Sequence, residues 1–521
     1  MTNTVSISLV SHTNVGKTTL ARTLLGRDVG EVRDAAHVTE VAEPHLLVES
    51  PEGDRLLLWD TPGFGDSGRL ARRLAQAGNP LGWVLTEVWD RWRDRPFWAS
   101  QRAIRHVLGE ADVALYLVNA AEQPDDAGYL APELQVLGLL GKPVVVLLNQ
   151  LGPPGSAAAE VQQLQQWQTH LAALAAQPGS AQVQAVLPLD AFARCWVQEG
   201  VLLQAVAAAL PAGRQPAMQR LTAAWAQRQQ TVWRQAMAML AGRLARAAAD
   251  RETLPDAGWR APLQRLAAGL GQALGLPSGG DADPQARAMA ALAARLDTDI
   301  RHGTDALIQL HGLAGQASGE VLDQLARHFA RRMPVDEGRA ALWGGAVAGA
   351  LAGLKADIAS GGLTLGGGLL AGGVLGALGA AGAARGVNKL RGVQAPLLAW
   401  DDAVLDGLLR AALLGYLAVA HHGRGRGDWQ PTEPPAVWGE AVDAALAARR
   451  AAVQTLWRER AGWLADAPAA ADLDRWQTAV AALLAEASAD VLHQLYPDGA
   501  RVAALRPAAG RAAASIQPAA S

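Results

Sequence analysis

Ser11-His12-Thr13-Asn14-Val15-Gly16-Lys17-Thr18 follows the apolar run Val5 to Val10 and precedes a helix-forming stretch, Thr19-Leu20-Ala21-Arg22-Thr23-Leu24-Leu25. Strand, loop and helix in this order are the context a phosphate-binding loop requires. Successive backbone N–H groups in such a loop cradle an anion, and the helix N-terminus adds partial positive charge. Lys17 is then expected to reach the β- and γ-phosphates and the Thr18 hydroxyl to bind magnesium. Ser11, Asn14, Val15, Gly16 and Thr19 complete the expected nucleotide-binding set of this loop. Ser11 stands where the usual pattern has glycine. The basic residues add weight: among 46, only Lys17, Lys142, Lys355 and Lys389 are lysines. A chain that uses arginine almost everywhere keeps lysine here, and a planar guanidinium does not replace a compact ammonium at a phosphate site. The alternative is a chance Gly-Lys-Thr in a turn.

A second motif argues against chance. Arg55 to Trp59 reads as a buried strand ending in Asp60-Thr61-Pro62-Gly63. An aspartate at the carboxyl end of a strand beside a phosphate loop can hold magnesium through water, and the Gly63 N–H can contact a γ-phosphate. Taken alone, Asp-Thr-Pro-Gly would be an ordinary turn.

On Asn14-Val15-Gly16-Lys17-Thr18 and Asp60-Thr61-Pro62-Gly63, residues 5 to 63 resemble the G domain of the Era/TrmE-like translation-factor GTPases. The resemblance extends over residues 1 to 210. It implies a Rossmann-like α/β sheet, magnesium, and GTP hydrolysed to GDP. It also implies that an Asn at position 14 coordinates potassium, which acts like an arginine finger during hydrolysis by a dimer of G domains. The bland alternative is that Asn14 only satisfies backbone groups of its loop. Together with the Gly-rich helical part, the chain is similar to a group of bacterial GTPases bearing a C-terminal domain of unknown function, a resemblance that supplies no activity.

The chain departs from the family at the base-recognition motif. After the apolar strand Pro143 to Leu148 the family has Asn-Lys-x-Asp; here the order is Asn149-Gln150-Leu151-Gly152. Asn149 is in place, Gln150 replaces the lysine that packs along the base, and the aspartate that pairs with guanine is absent. A polar group that reads its ligand by hydrogen bonds is worth several orders of magnitude in selectivity, so guanine preference is expected to be weakened. Asp190, after the strand Val183 to Leu189, is the candidate substitute carboxylate. Its other reading is a helix N-cap before Ala191-Phe192-Ala193-Arg194. Phe64 occupies the place where many GTPases have a water-positioning glutamine, and a hydrocarbon ring cannot orient water. Thr39, in His37-Val38-Thr39-Glu40, is the candidate switch ligand for magnesium. Catalytic roles are therefore expected for Lys17, Asn14 and Thr39, and metal ligation for Thr18, Thr39 and Asp60.

At 521 residues the chain should hold more than one domain. Net charge is −3, which removes any global electrostatic argument for nucleic acid. One cysteine, Cys195, excludes a disulfide framework and suits a reducing cytosol. The first residues lack the basic segment and apolar run of a signal peptide, so the expected location is the cytoplasm, with peripheral contact at the inner face of the cell membrane. Between the Asp-Thr-Pro-Gly motif and the strand Asp112 to Val118 lies a Trp-rich insertion near 68–110, with Trp83, Trp89, Trp92, Phe97 and Trp98 among charged residues of both signs. Aromatics beside arginine can stack on bases, but the acidic residues nearly balance the charge. A helical core patch or protein contact is the preferred reading.

After Pro211-Ala212-Gly213-Arg214-Gln215-Pro216 the character turns helical, with no convincing strand. Helices are expected over Ala217–Asp250, Pro284–Arg332, Pro396–His421, Val437–Leu464 and Ala471–Leu495, within a helical domain of residues 217–500. His421 and His422 read as loop histidines without zinc-like spacing. The tail 501–521 reads as disordered. Gly345, Gly349 and Gly353, and again Gly368, Gly372 and Gly376, repeat every four residues and suggest a Gly-zippered helical hairpin near 341–385. The interval Ile358 to Ala384 carries no charge and is long enough to span a bilayer. A soluble bundle core and a membrane-inserting hairpin both fit. The expected function is a GTP-hydrolysing switch that drives a helical effector domain and an unknown protein partner. The alternatives are a nucleotide-binding interaction protein with little turnover and a dynamin-like membrane-remodelling mechanoenzyme.

Overall fold

The computed structural model describes residues 3–29, 43–76, 95–152, 157–193, 195–253, 284–314, 402–423, 434–464 and 467–497, with short pieces at 79, 82, 397–400 and 426–427. Thr39, the tryptophans at 83–92, the Gly-rich interval 341–385 and the tail 501–521 lie outside the described residues.

Six strands form one mixed sheet. They are β1 (Thr4–Ser11), β2 (Glu43–Glu49), β3 (Arg55–Asp60), β4 (Val113–Asn119), β5 (Val144–Asn149) and β6 (Val183–Pro188), in the order β2-β3-β1-β4-β5-β6. All neighbours pair in parallel except β2, which runs antiparallel to β3 at the edge. The sequences of β4 and β5, Val-Ala-Leu-Tyr-Leu-Val-Asn and Val-Val-Val-Leu-Leu-Asn, are near-continuous apolar runs because helices cover both faces of the sheet. Around it lie α1 (Lys17–Leu25), α2 (Ser67–Gln76), α3 (Arg95–Glu110), α4 (Leu130–Leu140), α5 (Ala157–Ala175) and α6 (Trp196–Ala209). Parallel order brings the carboxyl ends of β1, β3, β5 and β6 to one rim, where α/β sheets bind ligands.

The described end of the Trp-rich insertion is helical. Phe97 on α3 is buried, with the Arg69 and Arg73 guanidinium groups of α2 at 4.4 and 5.3 Å from its ring centre. This is aromatic–arginine packing inside the domain.

The rest of the chain is mostly helical: α7 (Gln215–Ala249), α8 (Pro284–Leu310), α9 (Asp402–Ala420), α10 (Ala436–Ala448), α11 (Arg450–Ala461) and α12 (Ala470–Leu495). Pro216 in the first turn of α7 sets the start of a 35-residue helix. Its N-terminal half lies along the sheet edge, where Arg220 Nε donates to Asp54 Oδ2 at 2.6 Å. Its C-terminal half enters the helical bundle, where Trp233 Nε1 donates to Ser488 Oγ at 3.0 Å. A single apolar core therefore runs from β1 and β3 through α6 and α7 into α9, α10 and α12.

Three expectations need correction. Two short strands do occur in the helical part, β7 (Arg251–Thr253) and β8 (Leu397–Ala399), paired antiparallel; three residues carry too little periodicity to be read. The helix from Pro284 stops at Leu310, where Gly312 turns into the left-handed region at φ 67° and ends it. The stretch Val437–Leu464 divides at Arg449, whose φ of −106° and ψ of 14° interrupt the helix between α10 and α11. Among the described residues, α9 is the one helix long and apolar enough to cross a membrane, and 67% of its apolar window is buried inside the protein.

Candidate nucleotide-binding site

The phosphate loop is shaped by backbone that few residues accept. Asn14 (φ 65°) and Gly16 (φ 93°) are both left-handed, so the loop turns tightly between β1 and α1. A Cβ on Gly16 would lie 2.9 Å from Asn149 Nδ2, so only glycine lets the base-side loop approach. The Asn14 side chain is exposed and makes no hydrogen bond to its own loop among the described residues. Thr19 is half-buried in the first turn of α1.

Lys17 does not face solvent, although a ligand-free phosphate lysine is expected to. It is buried, and its Nζ donates to Ser11 Oγ at 2.9 Å. Ser11 Oγ in turn donates to the His12 carbonyl. The hydroxyl that replaces the usual glycine thus parks the lysine inside its own loop. Burial pushes the Lys17 ammonium down from its ordinary value, opposed by the charges of Asp60 and Glu133.

Asp60, at the end of β3, accepts the Thr18 hydroxyl at 2.5 Å through Oδ2. Its other oxygen, Oδ1, is buried and has no hydrogen-bond partner among the described residues. Burial pushes the Asp60 carboxyl up, against the Thr18 hydrogen bond and the Lys17 charge. A hydroxyl and a carboxylate side by side, with one carboxylate oxygen left over, are hard oxygen donors of the kind a divalent cation takes. Gly63 lies against the phosphate loop: a Cβ there would stand 2.9 Å from Lys17 Nζ and 3.1 Å from Thr13 Cα. The next residue, Phe64, is buried; its N–H donates to the Ser11 carbonyl at 2.8 Å and its carbonyl accepts the Thr13 hydroxyl at 2.7 Å. Its ring belongs to the core beneath α2, α3 and α4.

On the base side, Asn149 ends β5, fully buried. Its Nδ2 donates to the Val15 carbonyl at 2.8 Å, and its Oδ1 accepts the Ala191 N–H at 2.8 Å. Gln150, left-handed at φ 60°, sends Nε2 toward the same Val15 carbonyl at 3.5 Å. Asp190 is not a helix N-cap, because α6 begins later, after Cys195. Its Oδ2 accepts the Leu151 N–H and its Oδ1 the Phe192 N–H, each at 2.8 Å. Asn149 and Asp190 together tie the phosphate loop, the 149–152 loop and the 190–192 loop into one rim. Gly152 is left-handed (φ 84°), and a Cβ there would meet open space.

One group behind the loop has no local sequence signature. His12 Nδ1 lies 2.7 Å from Oε1 of the buried Glu133 on α4, Tyr116 OH donates to Glu133 Oε2 at 2.7 Å, and the His12 ring stacks on Tyr129 at 4.7 Å. The partners are far apart in the chain, and the burial of Glu133 becomes visible only in the fold.

Comparison with known proteins agrees with this geometry. Residues 6–150 match the family model of the 50S ribosome-binding GTPases, and residues 322–485 match a domain of unknown function (DUF3482). The GTPase Era of Heliobacterium modesticaldum is 27% identical over 145 residues, which is 28% of this chain and 39% of that protein. The chain thus spans well under half the length of that relative. Among solved structures, a variant of Aquifex aeolicus Era bound to GDP and aluminium fluoride aligns with a TM-score of 0.29 at 20% identity, covering 40% of this chain and 57% of that one. Era bound to MgGDPNP and a segment of 16S ribosomal RNA aligns with a TM-score of 0.28, also at 20% identity, covering 40% and 58%. Residues 6–150 thus carry a P-loop GTPase fold similar to that of Era, followed by a mostly helical region.

Proposed function

We propose that this protein binds GTP with magnesium on the rim formed by Ser11–Thr19, Asp60–Gly63, Asn149–Gly152 and Asp190–Phe192, hydrolyses it slowly, and passes its nucleotide state to the helical part. The observation that carries the reading is the Thr18–Asp60 pair with its bare, buried Asp60 oxygen beside Lys17. Thr18, Asp60 and Thr39 would hold the magnesium, which when bound neutralises charge on the phosphates. Lys17 would leave Ser11 for the phosphates, exchanging a neutral partner for an anion. Gly63 is close enough to the lysine for its N–H to serve the terminal phosphate. Potassium at the exposed Asn14 would take the place of an arginine finger.

Phe64 favours low intrinsic turnover. Its ring is buried in the core and its backbone is committed to Ser11 and Thr13, so it leaves no side chain to orient water. This supports a protein that dwells in its triphosphate state until a second G domain or a protein partner completes the site. Measuring affinity for GTP, GDP, ATP and ADP, with and without magnesium, tests the reading. Tight, magnesium-dependent GTP binding is expected, and no nucleotide binding at all would overturn it.

A further inference from the structure

We propose that Gly423, in the helical part, is a positioning residue for nucleobase recognition: it holds the Asp190–Phe192 loop from outside the site. The proposal rests on the nucleotide reading above and assigns the helical part a direct share in the site's selectivity. Gly423 lies just beyond α9, and its N–H donates to the Phe192 carbonyl at 3.4 Å. A Cβ on Gly423 would stand 2.1 Å from the Ala191 carbonyl oxygen and 2.8 Å from the Phe192 carbonyl carbon. Backbone packs on backbone there, with room only for hydrogen.

The loop that Gly423 touches is held from the other side by the residues that would face a base. Ala191 donates to Asn149, Asp190 clamps Leu151 and Phe192, and the Ala191 carbonyl also accepts the Thr23 hydroxyl of α1 at 3.0 Å. The Ala191 peptide is thus gripped between the GTPase domain and the helical part. A second bond fixes the same contact: Trp196 Nε1, at the start of α6, donates to Tyr416 OH of α9 at 3.1 Å. His421, just before Gly423, is packed between Trp438 and Tyr496 and anchors the end of α9.

The missing aspartate at position 152 makes this grip matter. With that carboxylate gone, discrimination between guanine and adenine falls to the 190–192 loop, where the Asp190 carboxylate would have to take the N1 and N2 hydrogens of guanine beside the Leu151 and Phe192 N–H groups it already accepts. Such contacts need placement to within a fraction of an ångström. Whatever shifts α9 shifts this loop, and by linkage whatever occupies the base site must bias α9 by the same free energy.

The test uses full-length protein and competition of GDP, IDP and ADP against a fluorescent GDP. Gly423→Ala should change the ADP-to-GDP affinity ratio by roughly tenfold, and Tyr416→Phe, which keeps the ring and loses one bond, should move it the same way by less. Gly415→Ala, on the same helix where a Cβ meets open space, should leave the ratio unchanged. GDP should also slow amide exchange at residues 416–423. If both Gly423→Ala and Tyr416→Phe lower thermal stability while the ratio stays that of the wild type, the contact is structural only and the proposal falls. If the Gly423 variant does not fold, Tyr416→Phe decides alone. If the wild type binds none of the three diphosphates, the nucleotide reading itself fails and takes the proposal with it.

Discussion

Lys17 and Ser11 form a closed pair: the ammonium that should serve a phosphate donates instead to the hydroxyl at the head of its own loop, 2.9 Å away. Removing the lysine should therefore not unfold the domain, since its burial opposes its charge. Lys17→Ala is expected to lose GTP affinity by about a hundredfold or more, as removal of a charge-assisted phosphate contact costs about 3 kcal/mol. Its melting temperature should equal or exceed that of the wild type. Calorimetry and thermal unfolding check both halves.

Gly152→Asp should restore strong guanine selectivity. The position opens into free space, and aspartate is among the residues that tolerate a left-handed φ. Guanine over adenine preference should rise at least about tenfold for a stability loss of about 1 kcal/mol. Competition binding and melting curves measure the two. An unchanged ratio would mean that the carboxylate at 152 does not reach the base.

Basal hydrolysis should be slow and faster in potassium than in sodium, rising with protein concentration as G domains pair. Asn14→Ala should erase the potassium difference while leaving GTP affinity nearly intact, because its side chain is exposed and bonds to nothing in its loop. Phosphate release at matched ionic strength is the assay. Equal rates in both cations across concentrations would remove the potassium assignment.

Stability should decline in mild acid through His421. Burial pushes this histidine from 6.5 down to about 4. Its Nδ1 is paired with the Leu417 carbonyl at 2.7 Å, so Nδ1 carries the hydrogen and the buried, unpartnered Nε2 is the site a second proton would take. The unfolded chain binds that proton near pH 6.5 and the folded chain only near 4. The stabilisation is therefore complete above about pH 6.5 and is lost as pH falls toward 4, a contribution of about 3 kcal/mol. His421→Phe keeps the ring contacts with Trp438 and Tyr496 and should flatten this part of the pH–stability curve in denaturant titrations.

The sequence carried the site where chemistry demands a local pattern. Strand, Gly-Lys-Thr loop and helix appear in order because an anion cradle is made of consecutive backbone groups, and Asp60 is marked by the strand it ends. Asn149 is likewise found from its strand, and it occupies the expected place. What escaped are relationships set by tertiary contact. His12 with Glu133 joins residues 121 apart, and no spacing announces it. Lys17 was expected in solvent, yet Ser11 draws it inward. His421 and His422 do follow the end of α9 as loop residues, but both are buried, His421 between Trp438 and Tyr496, which the glycines and arginines after them do not suggest. The Gly423 contact depends on the absence of an atom, which a sequence records only as one more glycine.

Helix α7 has a mechanical implication. Arg220, near its start, is bolted to Asp54 on the sheet, while the Ala248 carbonyl near its end receives Arg460 Nε of α11 at 3.0 Å. At 1.5 Å per residue these anchors stand about 42 Å apart on one rigid rod. Tilting the sheet end by roughly 5° would carry the far end about 4 Å. A lever arm of that length converts a displacement too small to rearrange the sheet into a stroke that approaches the spacing between neighbouring strands.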